Sequence, residues 1–501
     1  MNNNYGDIMD LSYYKDHLLF SDIDKDIAYI KKIFENDDIL RVRQLEMIGG
    51  QKCVIFFLDG MINNTVLNES VVRALLTFEG ELPENDIADF ATKHILFAAE
   101  AAVTQRVDEM LSSLLYGDTL VIFDGSAKAV TLNTKGWRTR GISEPGDERV
   151  LEGPREGFDE AVMLNMAMIR RKLPTPDLKA EYVRVGRRTD TRMFICYLDT
   201  VVNKTALKEL KRKLKEIDID GVLDSNYINE LINSNRFSIF KTAGTTERPD
   251  IVAARLLEGR VALFVDGTPV VLTLPYLFSE NFQSDDDYYQ NYVIAFLGRI
   301  MRYISFILSI SVPGIYLALI THHKQLVPTS FFMTVSSSRQ GVPFPSVLEC
   351  LLLILVFEML RETGLRVPQS MGSALSIVGG LVIGQAAVEA KIVSAPMLIV
   401  VALTGIAGLM VQKLRAAVFY SRILLVILGN FFGLFGCFAG IIALFSVVFS
   451  LNSFGTDYTV SLEKISFQNL KDTLIRAPWF SMINRPEHLS KNKIRQKRKI
   501  K

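Results

Sequence analysis

The chain has 501 residues, a net charge of +1 and 49% hydrophobic residues, and its mean hydropathy is +0.22. That hydropathy excludes an ordinary soluble protein, and the length allows two or three domains. The four cysteines lie far apart in sequence, which excludes a disulfide framework and a closely spaced zinc site. The composition is uneven, because residues 1–291 read as soluble, 292–451 as membrane-spanning and 452–501 as a basic tail.

The N-terminal extension, residues 1–38, does not have the pattern of a secretory signal. It has no basic start and no uninterrupted apolar core. It does contain DIAYIKKIFEN, whose apolar spacing is typical of an amphipathic helix. We therefore expect the soluble part of the chain to stay in the cytoplasm.

Two stretches of the soluble part occur twice. CVIFFLDGMINNTVLNE at residues 53–69 matches MFICYLDTVVNKTALKE at 193–209, an offset of 140. LLYGDTLVIFDGSAKAVTL at 114–132 matches LLEGRVALFVDGTPVVLTL at 256–274, an offset of 142. Two matches in the same order and at nearly the same offset indicate tandem copies of one subdomain.

The predicted fold class is therefore an α/β cytoplasmic domain of two tandem similar subdomains, residues 39–150 and 179–291, followed by an α-helical polytopic membrane domain. Each copy has an Asp after its first apolar strand and another in its Asp-Gly hairpin, namely Asp59, Asp124, Asp199 and Asp266. No His, Cys or second acidic cluster accompanies them at ligand spacing, so we interpret them as helix caps or turn residues and not as a metal set. Phosphate-binding loops, dinucleotide fingerprints and nucleophile elbows do not occur in the sequence. We expect no enzyme activity, no catalytic residue, no metal and no cofactor.

Residues 151–178 are predicted to connect the two copies. They contain GPREGF and a helix that ends in Arg-Arg-Lys, where cations favour a helix C-terminus. So much charge between two domains is typical either of a solvated linker or of an interface with another subunit, and the sequence leaves both open. The candidate interface residues are Arg155, Glu156, Phe158, Arg170 and Arg171.

Residues 292–451 are expected to hold four to six membrane segments, at about 20 residues per crossing. The apolar runs are Tyr303–Ile320, Val347–Leu360, Ser370–Ala390, Ile392–Val411 and Ile423–Leu451. The more polar stretch 326–345 is expected to be re-entrant or interfacial. The adjacent His322–His323 are either a pH-sensing pair or part of an interfacial loop.

The number of crossings raises a problem of sidedness. Five simple crossings would put the two ends of the chain on opposite sides, whereas the soluble part and the basic tail both favour the cytoplasm. One segment is therefore not a simple crossing. The first candidate is Val347–Leu360, which is short and contains glutamates, and the second is a broken Ser370–Ala390.

Two carboxylates lie in the apolar stretch VLECLLLILVFEMLRETG. Nine residues turn a continuous helix by half a turn net, so Glu349 and Glu358 face opposite ways. Glu358 can pair with Arg361 at i+3, beside Glu362. Glu349 has no cation within a turn of its own helix, so it is interfacial, or it marks a polar pathway, or it has a partner on another helix. Candidate residues for an ion pathway or gate are Glu349, Glu358, Arg361 and Glu362.

Small residues recur at helical spacing on two of these segments, which is typical of close helix packing in lipid. The first stripe is Ser373, Ser376, Gly380 and Gly384, and the second is Gly429, Gly433, Gly436 and Gly440. We interpret both as packing or oligomer faces and not as ligand sites.

The tail after residue 451 contains eleven Lys or Arg and four acids, which gives it a charge of about +7. A basic tail beside a membrane segment is typical of the cytoplasmic side, where it contacts anionic lipid. We expect membrane lipid and not nucleic acid to be its partner.

Several long motifs resemble one known family. GPREGF, ERPDIVAARLLEGRVALFVDGTP, SVPGIYLALITHHKQLVP, PFPSVLE and FEMLRETGLRVPQSMGSALSIVGGLVIGQAAVEAKIVSAP occur in this order. They are similar to the A subunit of spore germinant receptors, the GerA family, and the resemblance runs from about residue 40 to residue 486.

The resemblance implies a multi-pass protein of the spore inner membrane, with its N-terminal domain and C-terminal tail on the core side. It implies assembly with a transporter-like B subunit and a lipoprotein C subunit. It also implies a homo-oligomer, a pentamer-type ring, that conducts monovalent cations when a nutrient binds and so triggers germination.

Two alternatives stay open. A related paralogue encoded in the SpoVA operon would form a similar channel without a B subunit. A secondary transporter would instead show repeated membrane helices with broken segments in matching positions, and the sequence repeat lies only in the soluble half.

Overall fold

Two five-stranded antiparallel sheets of equivalent strand order form the first part of the chain. The computed structural model describes residues 11–83, 86–137, 145–146, 148, 150, 152–233, 235, 238–366, 384–459, 471–486, 489–490, 492 and 494–495. The first sheet has the order β1-β2-β4-β5-β3 and the second the order β6-β7-β9-β10-β8. The strands are β1 Leu40–Glu46, β2 Lys52–Leu58, β3 Ala101–Thr104, β4 Thr119–Phe123, β5 Ala129–Leu132, β6 Leu178–Val185, β7 Thr191–Leu198, β8 Gly244–Thr246, β9 Val261–Val265 and β10 Val271–Leu274.

Helices pack on both sheets because the central strands are apolar on both faces. In KCVIFFL, the sequence of β2, five of the seven side chains are buried, as is typical of a strand covered on both sides. The helices of this part are α1 Ile23–Ile33, α2 Asn64–Val66, α3 Ala74–Thr77, α4 Ile87–His94, α5 Val107–Leu115, α6 Val162–Lys172, α7 Lys204–Glu216, α8 Ser225–Ile232 and α9 Pro249–Leu257. A π-helical stretch, Leu67–Arg73, joins α2 to α3.

The hairpin aspartates of the two sheets have equivalent contacts. Asp124 accepts a hydrogen bond from the N–H of Ile23, the first residue of α1. Asp266 accepts one from the N–H of Val162, the first residue of α6. Carboxylates at a helix N-terminus satisfy free N–H groups there. Helix α6, which we expected in a linker, therefore has the same place in the second unit as α1 has in the first.

A buried ion pair joins the two units. Arg170 of α6 donates to Asp37, which follows α1, over 2.6 Å, and both side chains are almost completely enclosed. Next to them the Lys179 ammonium donates to the carbonyl of Ile33 at the end of α1. One hydrophobic cluster contains core residues of both sheets, including Phe56 and Phe194. The two units therefore share a core.

The helical region begins directly after the second unit. Its helices are α10 Tyr292–Thr321, α11 Thr329–Ser338, α12 Ser346–Arg366, α13 Gly384–Glu389, α14 Ala395–Leu409 and α15 Arg415–Ser450. By length and composition, two stretches of the described residues are long and apolar enough to cross a membrane, Tyr292–Thr321 and Gln412–Ser450. The stretch 326–345, expected to be re-entrant or interfacial, contains the short helix α11.

Helix α15 is a helical hairpin and not one continuous span. Gly433 has φ +63° and ψ −147°, which is outside the helical region. A Cβ on Gly440 would meet the side chains of Leu425 and Leu428. In a straight helix, Leu428 and Gly440 would instead be about 18 Å apart along the axis, because they are separated by 12 residues. The expectation of a single crossing over Ile423–Leu451 is therefore wrong. A glycine in a left-handed conformation reverses the chain inside the apolar run.

The hairpin runs from the soluble part to the far end of the helical region and back. At the start of the hairpin, Lys413 donates to the carbonyl of Gln283 in the soluble part. At the turn, Gly433 lies against His322 and His323 at the end of α10. After the hairpin, Ser453 donates to the carbonyl of Thr242. Both ends of the hairpin thus lie at the base, next to the soluble part.

The C-terminal segment packs against the base of α10 and the second unit. Arg299, which is fully buried, pairs with Asp287 and with Asp472, each at 3.2 Å. Arg495 pairs with Glu258 beside α9 at 2.7 Å. Arg476, Arg485 and Arg495 belong to the basic tail that we expected to face lipid, and they bind protein groups instead.

The buried Arg170–Asp37 pair lies at the boundary between the two units, which we call the seam, and it leads to a first prediction. Asp37→Ala leaves the Arg170 guanidinium buried without its counter-charge, which costs about 3–5 kcal/mol of the free energy of unfolding. We expect this loss in chemical denaturation of the detergent-solubilised full-length protein, followed by tryptophan fluorescence. Asp218→Asn, at an exposed pair with Arg187, is the matched control and should cause no measurable change. Equal stability of the two variants would contradict the structural role of the seam.

The hairpin leads to a second prediction. Leu425→Cys places a thiol beside the native Cys437, whose Sγ lies 3.9 Å from the Leu425 carbonyl oxygen. A bismaleimide too short to span 12 residues of straight helix should link the two thiols within one chain, as seen by mass spectrometry. Leu425→Cys combined with Cys437→Ser is the control and should give no link. If both thiols react with a monofunctional maleimide but the bismaleimide forms no link, the result contradicts the hairpin geometry.

Candidate functional site

Glu349 lies in the first turn of α12 and is completely buried. Its Oε1 accepts hydrogen bonds from the N–H and the hydroxyl of Ser394, at 2.6 and 2.5 Å. Ser394 is the N-cap residue of α14, where the helix dipole favours a negative charge. Glu349 therefore holds the start of α14 against the start of α12, and its partner Ser394 belongs to another helix.

The second oxygen of Glu349 and two other buried polar atoms in this region lack a hydrogen-bond partner among the described residues. Oε2 lies 3.8 Å from Nε of Arg339, which follows α11. Tyr316 of α10 packs in the same hydrophobic cluster as Cys350, the neighbour of Glu349. Among the described residues, Glu349 Oε2, Arg339 Nε and the Tyr316 hydroxyl have no hydrogen-bond partner.

Glu358 and Glu362 form an ion cluster nearer the base. Glu358 pairs with Arg361 on its own helix and with Arg415, at the start of α15, at 3.0 Å. Arg415 also pairs with Glu362 at 2.7 Å. The side chains of Arg415 and Glu362 are 37% and 43% exposed. The cluster thus reaches the surface of the helical region, whereas Glu349 is enclosed.

Arg422 is a buried cation that the sequence analysis missed. Its Nε donates to the carbonyl of Ser309 on α10 at 2.8 Å, and its Nη2 donates to the carbonyl of Thr404 on α14 at 3.0 Å. The Ser309 carbonyl is free because Pro313, four residues later in the same helix, has no N–H to donate. Arg422 thus ties three helices together. In the sequence, Pro313 was the signal that a carbonyl of α10 lacks its helical donor and needs another one.

The second glycine stripe lies inside the hairpin. A Cβ on Gly429 would lie 2.5 Å from the carbonyl oxygen of Gly314 on α10, and one on Gly436 would overlap the carbonyl of Leu428. The stripe is therefore not one face of a straight helix, because Gly433 separates it into two helices that pack on each other. In the first stripe Gly384 is described, and a Cβ there would lie 3.7 Å from Leu398. Its other members, Ser373, Ser376 and Gly380, lie outside the described residues.

The residues predicted for a subunit interface are largely used within the chain. Phe158 is buried and packs edge-to-face on Phe264, and Arg170 is enclosed at the seam. The interface interpretation of these two is wrong because neither side chain is available to another chain. Arg171 pairs with Glu156 at 2.6 Å. Arg155 is exposed at the surface.

A polar cleft of about 470 Å³ lies between the soluble part and the base of the helices. Its lining includes Glu148, Asp285, Asp287, Arg302 and Lys413. Burial, together with the charge of Asp285, raises the pKa of the Glu148 carboxyl above its usual value. The cleft therefore concentrates negative charge at the place where the chain enters and leaves the helical region.

The arrangement consists of ionic groups that lie inside or beside the helices. Within the described part of the chain, no group of three or more His, Cys, Asp or Glu side chains is placed to hold a metal ion. The charged groups instead lie at three levels of the helical region, at Glu349, at Arg422 and at the cluster around Glu358. Such groups position helices and attract or exclude ions.

Comparison with known proteins identifies the family. A family model described as Bacillus/Clostridium GerA spore germination protein matches residues 28–488. Spore germination protein KA of Bacillus subtilis (strain 168) is 39% identical over 485 residues, 96% of this chain and 89% of that protein. Spore germination protein GerLA of Bacillus cereus is 34% identical over 454 residues, 90% of this chain and 92% of that protein.

A solved structure is also similar to the first half of the chain. It is the N-terminal domain of the A subunit of the Bacillus megaterium spore germinant receptor GerK3, at 28% identity and a TM-score of 0.41, covering 52% of this chain and 97% of that chain. The family model spans nearly the whole sequence, as the motifs indicated. This chain therefore belongs to the GerA family of spore germination proteins.

Proposed function

We propose that this chain is the membrane subunit of a nutrient germinant receptor in endospores, and that it oligomerises into a ring that forms a ligand-gated cation channel. Membership of the family supports a role in germination. The channel function, the ring and the membrane crossing are our inference from the helical region.

The hairpin supports a multi-pass arrangement with both ends on one side. Helix α10 leads from the base to the far end, since its C-terminal His322 donates to the Asn430 carbonyl near the hairpin turn. Helix α12 returns, because Glu349 lies at the far end and Glu358 near Arg415 at the base. The hairpin adds two passes where we expected one. An even number of passes would put the soluble part and the tail together on the core side. The predicted segment Ser370–Ala390 lies largely outside the described residues.

The ion cluster around Glu358 is the observation that carries the channel proposal. A partly exposed group of two carboxylates and two guanidinium groups is costly against lipid. In a ring of identical chains, the same surface would face water in a central path or a neighbouring chain. The polar cleft at the base would then lead cations to this cluster. Glu349, which is enclosed, would position helices and not contact ions.

The resemblance supplies the partners and the location. We propose the spore inner membrane, with a B-type transporter-like subunit and a C-type lipoprotein subunit as partners and with monovalent cations as the conducted species. The tandem sheets, which have equivalent strand order, would then be a duplicated cytoplasmic domain that transmits the signal of the partners to the helices.

The proposal predicts distinct effects for the two sets of carboxylates. Loss of one carboxylate at a water-filled mouth removes on the order of 1 kcal/mol of attraction for a nearby cation, which is about a five-fold effect. We therefore expect Glu358→Gln and Glu362→Gln to lower unitary cation conductance about five-fold in single-channel recordings of the full-length protein that is purified together with its B-type and C-type subunits. Glu349→Gln should retain the conductance and lower the thermal unfolding temperature.

Asp218→Asn on the soluble surface is the control and should leave conductance unchanged. A monomer that is silent in the bilayer would contradict the channel proposal. Conductance without any B subunit would favour the SpoVA-operon paralogue, whereas nutrient uptake by the purified chain would favour a secondary transporter. An equal fall in conductance for Glu349→Gln would show that this residue also contacts the ion path.

A further inference from the structure

A group of exposed apolar side chains lies in the C-terminal segment. Leu474 and Ile475 are 38% and 44% exposed, and Trp479 and Phe480 are 52% and 80% exposed. Single exposed apolar residues are common on protein surfaces, but four of them within seven residues form a patch. We call these four residues the tail patch.

The tail patch lies level with the start of the apolar part of α10. Tyr303, where the uncharged run of this helix begins, donates from its hydroxyl to the carbonyl of Thr473 at 3.4 Å. One turn earlier, Arg299 pairs with Asp472. Trp479 lies beside Tyr288, with ring centroids 6.1 Å apart. The patch is therefore beside the first turns of α10, where the polar base meets the apolar helices.

The segment that presents the patch is held firmly on its other side. The Arg476 guanidinium stacks on both Tyr288 and Trp479, at 5.0 and 4.9 Å from the ring centroids. Arg476 also donates to the carbonyl of Asp287, and Lys471 donates to the carbonyl of Ser481. The polar groups thus face the protein, and the apolar side chains face outward from it.

We propose that the tail patch is an interfacial membrane anchor, which inserts Trp479 and Phe480 into the headgroup region of the leaflet on the soluble-domain side. Tryptophan and other aromatic residues favour the boundary between headgroups and acyl chains. The proposal rests on the proposed function, because it requires the helices to cross a membrane. It assigns a lipid partner to a segment that the ion channel itself does not need.

Charge in the following sequence suits the same partner. Besides Arg495, which pairs with Glu258, the chain after residue 490 contains Lys491, Lys493, Lys497, Arg498, Lys499 and Lys501. Basic residues next to a membrane are attracted to anionic headgroups by about 1 kcal/mol each. The sequence thus places basic residues directly after the aromatic patch, as in other surface-binding segments.

The chain has two tryptophans, Trp137 and Trp479, which allows a direct test. Full-length Trp137→Phe protein is reconstituted in vesicles of phosphatidylcholine and phosphatidylglycerol whose acyl chains carry bromine either near the glycerol or near the terminal methyl. We expect a loss of Trp479 emission that is larger with the shallow bromines. Trp479→Phe protein, which reports Trp137 in the first sheet unit, is the matched control and should lose no emission in either lipid.

Two results would overturn the anchor. Emission that neither lipid quenches but aqueous iodide does would place Trp479 in water. Emission that neither the brominated lipids nor aqueous iodide quenches would place Trp479 against another protein chain. If Trp137→Phe fails to fold, the difference between unaltered protein and Trp479→Phe gives the same signal. Alkaline extraction and flotation of the same vesicles separate the two proposals, because protein that is extracted contradicts membrane crossing, whereas retained protein with unquenched Trp479 contradicts only the anchor.

Discussion

Backbone carbonyls in an apolar region that lose their helical hydrogen-bond donor need another donor, and the helical region depends on where that donor comes from. Pro313 frees the carbonyl of Ser309, and Arg422 donates to it from α15. Asn430 lies three residues before the break at Gly433, and His322 donates to its carbonyl. Each irregularity in one helix is thus satisfied by a polar side chain from the other. The contact between α10 and the hairpin is therefore specified by hydrogen bonds as well as by packing.

The parts of the fold that could be predicted are those that follow local sequence rules. The two sheets could be predicted in outline because strand residues and Asp-Gly turns follow local rules that leave a pattern in the sequence. The hairpin could not, because Gly429, Gly433, Gly436 and Gly440 have a spacing that fits a straight packing stripe equally well. The backbone angles of Gly433 and the contact of Gly440 with Leu425 and Leu428 separate the two interpretations, and hydropathy does not change at a turn that is itself apolar.

The site was predictable where partners are close in sequence. The pairing of Glu358 with Arg361 follows from the i, i+3 spacing on a helix. Arg415 and Arg339 are 57 and 10 residues away from Glu358 and Glu349, and no local rule brings them together. The linker charges were misread for a related reason. Arg170 has its counter-charge on Asp37 in the other unit. In the sequence it is a cation without a nearby acidic partner, whereas in the fold its charge is neutralised across the seam.

The contacts at the base determine how the soluble part can act on the helices. Because the two sheets share a core and a buried ion pair, displacing one unit alone would expose apolar surface and leave Arg170 without a partner. The soluble part is therefore expected to move as one body. Arg299 and Arg302 of α10 both bind Asp287, just before the helix, and Asp472 binds Arg299 from the C-terminal segment. Any such motion has to carry the start of α10 with it, or else break an ion pair that is buried at the base. Because the other end of α10 is bonded to the hairpin turn, that motion reaches the far end of the helical region through one helix.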